Sequence, residues 1–175
     1  MHISVGVFVA FWPFYMSLHT IQVISIAFLL VVLLSRRLAV FHAVSKIDRR
    51  TWGDILFAIS IGLAATLAHN EWVFWAAIMH LGLADGLAAV FGKQFGKGAR
   101  YHVLGYIKSV AGTATFIITS MVIIAISLHY GHLHRLTLPL LVGLPFGAAF
   151  LENFGIFGLD NVFAPLFVIV VLNRL

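Results

Sequence analysis

The chain has 175 residues, of which 62% are hydrophobic and only 10% are charged, and its formal net charge is +5. Soluble domains are about 45–50% apolar and about 25% charged, so this composition excludes a soluble globular protein and indicates an integral membrane protein. The absence of cysteine excludes a disulfide framework and a thiolate metal site. The excess of basic residues is typical of cytoplasmic loops in a membrane protein and does not indicate a nucleic-acid partner.

Apolar runs near the length needed to cross a bilayer, about 17–25 residues, follow one another along the chain. The first run is too long for one helix and contains Pro13, so it predicts two spans with a turn near 17–20. No basic segment precedes it, which favours a retained span over a cleavable signal peptide. The sixth span is expected to bend near Pro145 and Gly147. The predicted spans are 3–18, 20–34, 54–68, 72–91, 109–128, 136–151 and 161–172.

Basic residues divide the connecting segments into two classes. The links at about 35–52 and 92–108 hold nine of the eleven Lys and Arg residues, whereas the links after the first and third spans hold none. The positive-inside rule therefore predicts that these two links, the N-terminus and the link at about 152–160 face the cytoplasm. The sequence thus predicts an all-α, polytopic membrane bundle of about seven transmembrane helices, organised as a single membrane domain over 1–175.

Acidic residues are scarce, and several are expected on this same face. The chain has six acids, and Asp85 lies near the cytoplasmic end of the fourth span. A carboxylate at depth costs about 2.5–3.5 kcal/mol, so it normally has a partner or a task. Asp85 offers a hard oxygen ligand that can hold the Mg²⁺ of a bound nucleotide, and Glu152 and Asp160 can complete such a metal site or act on the acceptor.

Glycines and cations follow Asp85, and together they suit a polyphosphate. Glycine-rich backbone offers free N–H donors, and the cations supply positive charge. The segment "GKQFGKG" nevertheless lacks the spacing of a Walker A loop. The candidate phosphate-binding residues in this stretch are Gly92, Lys93, Gly96, Lys97, Arg100 and Lys108.

Simpler interpretations stay open for several of these residues. One alternative is that Lys97 and Arg100 are a topology signal and bind no ligand. Another is that Asp160 is a helix N-cap. His80 can pair with Asp85 or face a neighbouring helix. The H-x2-H-x-H trio that is expected outside is typical of interfacial polarity rather than of a metal site; it comprises His129, His132 and His134.

Three elements of the C-terminal half occur in an order found in one family. They read "ADGLAAVFGKQFGK", "KSVAGT" at 108–113 and "LENFGIFGLDNVFAPL" at 151–166. This order resembles the dolichol kinases, phytol kinases and CTP-dependent diacylglycerol kinases, which are related to the phosphatidate cytidylyltransferases. The segment "TWGDILFAISIG" at 51–62 is similar to the helix that precedes these elements in the family.

The resemblance implies a kinase that uses CTP and Mg²⁺ to phosphorylate the hydroxyl of a membrane lipid alcohol at the cytoplasmic face. The residues it implies as catalytic are Asp85, Lys108 and Asp160, and the implied Mg²⁺ ligands are Asp85, Glu152 and Asp160. The implied nucleotide- and phosphate-binding residues are Gly92, Lys93, Gly96, Lys97, Arg100, Ser109, Gly112, Thr113, Glu152 and Asn161.

Some positions depart from the family pattern. Ala84 stands where many members have Gly, and the opening "MHISVG" supplies only His2 of an expected Arg-Lys-x-x-His. Ala111 stands where dolichol and diacylglycerol kinases often have Glu, which favours a polyprenol- or phytol-like alcohol over diacylglycerol. The short chain suggests a compact form, expected in a prokaryotic cytoplasmic membrane or an organelle.

Two other functions remain alternatives, and the oligomeric state is not predicted. A cytidylyltransferase of the phosphatidate type would use the same nucleotide on a lipid that is already phosphorylated. A proton-coupled transporter, from a different class, would use Asp85 and His80 as a relay. That function predicts ionisable residues through the depth of the membrane, whereas here they are expected to gather at one face.

Overall fold

The computed structural model describes residues 2–38, 52–133, 137–155 and 158–175. The basic residues Lys46, Arg49 and Arg50 of the 35–52 link, together with His134 and Arg135, lie outside the described residues. The helices are α1 His2–Ala10, α2 Leu18–Leu38, α3 Gly53–Leu67, α4 Glu71–Met79, α5 Asp85–Phe95, α6 Val110–Tyr130, α7 Leu144–Phe154 and α8 Asp160–Leu172. A 3-10 turn covers Trp12–Phe14, and the strands are β1 Arg100–Val103 and β2 Tyr106–Ser109.

Helices dominate the described part of the chain, which confirms the predicted helical membrane protein. Three continuous helical segments are long and apolar enough, by length and composition, to cross a bilayer. They are Leu18–Ser35, Glu71–Phe95 and Val110–Tyr130. Four further apolar helices are shorter, at Ile3–Phe14, Gly53–Leu67, Pro139–Phe154 and Asp160–Leu172. Helix length therefore supports three of the seven predicted crossings directly.

The second long segment is the centre of the core. A π-helical turn, His80–Ala84, joins α4 to α5 without a break, and Phe74, Ile78 and Leu81 along this joined helix are almost fully buried. Small residues allow α1 to approach it closely, because a Cβ at Gly82 would lie 2.6 Å from the Cα of Gly6. This packing resembles the small-residue contacts that hold membrane helices together.

A second π-helical turn precedes α7, and it changes the expected shape of the sixth span. The bend was predicted near Pro145 and Gly147, but the irregular turn is Pro139–Gly143, and α7 begins directly after it at Leu144. Pro145 lies in the first turn of α7, directly after the π-helical turn, and it removes one backbone N–H donor from this continuous helical segment. The irregularity therefore precedes the predicted position.

The link at 92–108 contains regular structure that was not expected from its sequence. α5 continues to Phe95, beyond the predicted end of the fourth span at 91, and an antiparallel hairpin follows it. Leu104 and Gly105 form its turn with positive φ angles of 49° and 85°, the backbone that two-residue hairpin turns require. The hairpin carries cationic residues back toward the start of α6.

Close packing between α5 and α6 brings the two sides of this link together. A Cβ at Gly112 would lie 2.9 Å from the carbonyl oxygen of Ala88 and 3.4 Å from the Cα of Gly92. Ser109 is the N-cap of α6, since its Oγ accepts the N–H of Gly112 at 3.1 Å. The glycines thus set how near α6 approaches α5.

We expect Gly112→Ala to destabilise the protein by about 1–3 kcal/mol, the usual cost of overpacking. The carbonyl of Ala88 belongs to helix backbone and cannot move aside as a flexible side chain could. Gly98→Ala is the matched control, because a Cβ there meets nothing within 4 Å. Thermal unfolding in detergent compares the two, and equal melting temperatures would contradict the packing described here.

Candidate functional site

A cavity of about 540 Å³ lies between α5, the hairpin, the start of α6 and the junction of α7 with α8. Most of the predicted site residues line it: Asp85, Gly92, Lys93, Arg100, Lys108, Ser109, Gly112, Thr113, Glu152, Asp160 and Asn161. Gly96 and Lys97 are not on its wall. Gly96 is buried against Ser109, and Lys97 is exposed.

Carboxylates from three helices meet at this cavity. Asp85 is the first residue of α5, Glu152 lies in α7 and Asp160 is the first residue of α8. One oxygen from each lies within 4.8 Å of the others, and Glu152 is only 7% exposed. Like charges this close repel each other unless a cation or a proton lies between them.

The donor set of these carboxylates fits Mg²⁺. All three residues offer hard oxygen ligands, and Mg²⁺ is usually held by one or two carboxylates together with water and substrate phosphates. The cavity also has cations at its rim, and these can bind the substrate phosphates. The residues that would hold the ion are Asp85, Glu152 and Asp160.

Lys108 forms an ion pair within the same cluster. Its Nζ lies 2.6 Å from Oε1 of Glu152 and donates a second hydrogen bond to the Glu152 carbonyl oxygen at 3.3 Å. Partial burial alone would lower the pKa of the Lys108 ammonium, but the neighbouring carboxylates, Glu152 foremost, outweigh burial and raise that pKa above the ordinary lysine value. Lys108 therefore stays cationic at physiological pH.

The start of α8 is fixed to α3 through Asn161. The carboxylate of Asp160 accepts the backbone N–H of Asn161 at 3.1 Å, and the Asn161 side chain donates to the carbonyl of Gly53 at 3.5 Å. Ser60 donates its hydroxyl hydrogen bond to the carbonyl of Asn161. The interpretation of Asp160 as a helix N-cap is wrong, because Leu159 occupies the cap position.

The remaining predicted cations differ in their positions. Lys93 lies in the last turn of α5 and lines the cavity. Arg100 also lines it, and its Nε donates to the carbonyl of Gly96 at 3.4 Å, close to the end of α5. Both side chains are exposed and can reach an anionic ligand from the rim.

His80 faces a neighbouring helix, so the suggested pairing with Asp85 is wrong. Its Nδ1 lies 2.7 Å from the carbonyl of Ala76 and its Nε2 lies 2.6 Å from Oγ of Ser120. Because a carbonyl only accepts hydrogen bonds, Nδ1 carries a hydrogen, and in the neutral imidazole Nε2 then accepts from the serine hydroxyl. His129 lies in the last turn of α6, at the end of that helix opposite to Ser109.

Several residues at the cavity were not singled out from the sequence. Gly53, Gly155 and Gly158 form part of its wall, and Tyr106 and Ile107 contribute from the hairpin. The three glycines lie in the segments "TWGD" and "NFGIFGLD". Glycines beside an acid in both segments were an available signal for a wall that approaches a ligand closely.

Comparisons with known proteins agree with the family predicted from the sequence. No protein-family model matches the chain, and no solved structure matches it. The chain is 31% identical over 140 residues to a phytol kinase from Synechocystis sp., and the match covers 78% of this chain. The chain spans 60% of the length of this phytol kinase. The similarity confirms the predicted resemblance: the chain is related to the phytol and dolichol kinase-like family.

Proposed function

We propose that the chain is a lipid-alcohol kinase that transfers the γ-phosphoryl group of CTP to the hydroxyl of a polyprenol- or phytol-like alcohol. The observation that carries the proposal is the convergence of three carboxylates and Lys108 on one cavity. Phosphoryl transfer depends mainly on positioning and on neutralising charge, and little on covalent chemistry by the protein. Carboxylates for a metal beside cations for phosphate are the groups that such a reaction needs.

The residues divide between the two ligands. Asp85, Glu152 and Asp160 would hold Mg²⁺, and a bound ion would neutralise negative charge on the phosphate oxygens. Lys108 would contact the triphosphate from one side, with Lys93 and Arg100 at the rim. At the start of α6, the N–H groups of Val110 and Gly112 are already bonded to the Ala99 carbonyl and to Ser109 Oγ, so this helix end would act on phosphate through its positive dipole.

The acceptor would reach the same cavity from the bilayer. Two of the long apolar segments, Glu71–Phe95 and Val110–Tyr130, contribute residues to the cavity and would provide a surface for a prenyl or phytyl tail. Ala111 lies beside Gly112 in the first turn of α6 and brings no further carboxylate to this wall. The basic links and the positive-inside rule support a site that opens to the cytoplasm.

The test is a transfer assay with CTP labelled at two positions. Purified protein in detergent receives Mg²⁺, CTP and a panel of phytol, a short polyprenol and diacylglycerol. Label from the γ-phosphate in the lipid supports the kinase. Label from the α-phosphate, with pyrophosphate released, would instead indicate a cytidylyltransferase, and no lipid label with any nucleoside triphosphate would overturn the proposal. Replacement of CTP by ATP or GTP tests the base preference.

A proton-coupled transporter is less well supported by the positions of the ionisable groups. In the described part of the chain, the carboxylates of the cavity lie together, and Glu152 pairs with Lys108. His80, the other member of the suggested relay, uses both ring nitrogens in hydrogen bonds to Ala76 and Ser120. These contacts favour a site that binds ligands over a path along the helices.

Removal of divalent metal is expected to lower the turnover rate by about 100-fold or more, since metal stabilisation of phosphoryl charge contributes several kcal/mol. The measurement is γ-phosphoryl transfer after treatment with EDTA and again after Mg²⁺ is restored. The Kd of CTP, measured by calorimetry with and without Mg²⁺, provides a second readout. Full turnover in EDTA would contradict a metal role for the three carboxylates.

A further inference from the structure

Tyr101 connects three elements that surround the cavity, although its own side chain is not part of the wall. It lies in β1, and its hydroxyl is hydrogen-bonded to Oγ1 of Thr113 in α6 and to Oδ1 of Asn153 in α7. The distance to the Asn153 oxygen is 2.7 Å. One phenol therefore links the hairpin to α6 and to α7.

The directions of these hydrogen bonds follow from the donors and acceptors available. The side-chain Nδ2 of Asn153 donates to the carbonyl of Ala149 at 2.9 Å, so Oδ1 faces the phenol. An amide oxygen only accepts, so the Tyr101 hydroxyl donates to it. The Tyr101 oxygen then accepts the hydrogen of the Thr113 hydroxyl, and the chain of donors runs from α6 through the hairpin to α7.

The strand register places this anchor directly beside the ion pair. Tyr101 is the cross-strand partner of Lys108, so the two side chains lie on the same face of the hairpin. Asn153 follows Glu152, the partner of Lys108, in α7. Tyr101 and Lys108 are neighbours in the hairpin, and Asn153 and Glu152 are neighbours in α7. The hydrogen bond between Tyr101 and Asn153 therefore lies next to the ion pair between Lys108 and Glu152.

We propose that Tyr101 is a positioning residue for the phosphoryl-transfer site. Its hydroxyl fixes the separation between the hairpin, which carries Lys108, and α7, which carries Glu152. The role in catalysis rests on the proposed function, whereas the effect on the position of Lys108 does not. Misplacement of a catalytic group by about 1 Å can cost about 100-fold in rate, so one anchoring hydroxyl can matter without contact to substrate.

The first test measures the position of Lys108 without any activity. Intact protein in detergent receives brief pulses of acetic anhydride, and mass spectrometry follows acetylation of each lysine. Tyr101→Phe is expected to speed acetylation of Lys108 by about fivefold, the factor that corresponds to loss of one ordinary hydrogen bond. The rate at exposed Lys97 should not change. An unchanged rate at Lys108 would overturn the proposal.

Two further variants make this test independent of a folding defect. Asn153→Ala keeps the tyrosine and removes its acceptor, so it should speed acetylation of Lys108 in the same way. Tyr130→Phe removes a phenol hydroxyl at the other end of α6, where the ring stacks on Trp72, and should leave Lys108 unchanged. Equal acceleration by Tyr130→Phe would mean general loosening and would also overturn the proposal.

The second test asks whether Tyr101 acts through Lys108. Tyr101→Phe is expected to lower kcat/KM for CTP by about tenfold or more, and to weaken CTP binding in the wild-type background but not further in Lys108→Ala. Equal weakening in both backgrounds would overturn the proposal. If the wild-type protein transfers no phosphate to lipid, the kinase assignment fails, and the acetylation rates still decide the role of Tyr101.

Discussion

Asp85→Asn is expected to lower phosphoryl transfer by about 1,000-fold while the protein stays folded. Asparagine has nearly the same shape as aspartate but lacks its charge, so the site loses one of three oxygen ligands that lie within 4.8 Å of one another. Loss of a metal-binding carboxylate removes several kcal/mol of transition-state stabilisation, and each 1.36 kcal/mol is a factor of ten. Removal of one of three mutually repelling charges should not destabilise the fold.

The measurement combines γ-phosphoryl transfer with thermal unfolding in detergent. Glu71→Gln is the matched control, since Glu71 is an exposed acid in the first turn of the same joined helix. This control should keep both activity and melting temperature. Near-normal transfer by the asparagine variant would remove Asp85 from the site, and loss of folded protein would show that the carboxylate is structural.

The sequence predicted a helical membrane protein correctly, because hydropathy alone identifies this class. A chain that is 62% hydrophobic has too few polar side chains to cover a soluble surface, and continuous apolar runs mark helices whatever their packing. The exact helices were less accessible. Both π-helical turns, His80–Ala84 and Pro139–Gly143, lie inside apolar sequence, where hydropathy does not distinguish a π turn from an α turn.

The hairpin was not predicted, because its sequence pattern is also too weak to identify it. Each strand has only four residues, and the segment between Phe95 and Val110 was interpreted through its charges and glycines. Alternation over four residues is a weak pattern, and here both faces carry polar side chains. The strand register of the hairpin puts Tyr101 and Lys108 on one face, and both side chains bond to α7 from that face.

Most of the cavity could be anticipated because acids are rare in this chain. Charge counting and the number of spans predicted that Asp85, Lys108 and Asp160 would converge, and all three line one cavity. What could not be anticipated was how they are paired. The ion pair of Lys108 with Glu152 depends on the angle between the hairpin and α7, which no spacing in the sequence encodes.

Lys108→Met is expected to produce two separable defects. Removal of the ammonium leaves Glu152, which is 7% exposed, as a buried carboxylate without its cation. Breaking a buried pair costs about 3 kcal/mol or somewhat less here, because the Lys108 side chain is 21% exposed. The same change removes a phosphate-binding cation, so kcat/KM should fall by about 100-fold or more.

The double variant Lys108→Met/Glu152→Gln separates stability from function. A neutral glutamine no longer needs a cation, so most of the lost stability should return, whereas activity should remain low because both the ammonium and a metal ligand are absent. Unfolding titrations and γ-phosphoryl transfer measure the two quantities. Recovery of transfer together with stability would mean that Lys108 only supports the fold.

The pH dependence of stability adds an independent check on this ion pair. Because the folded-state pKa of Lys108 is raised, its contribution is fully present below the ordinary lysine pKa and is lost as the pH rises through the raised value. Wild-type protein should therefore lose melting temperature in alkaline solution more steeply than Lys108→Met does. Parallel curves for the two proteins would show that the paired ammonium contributes no stability, and the expected loss in Lys108→Met would then have another cause.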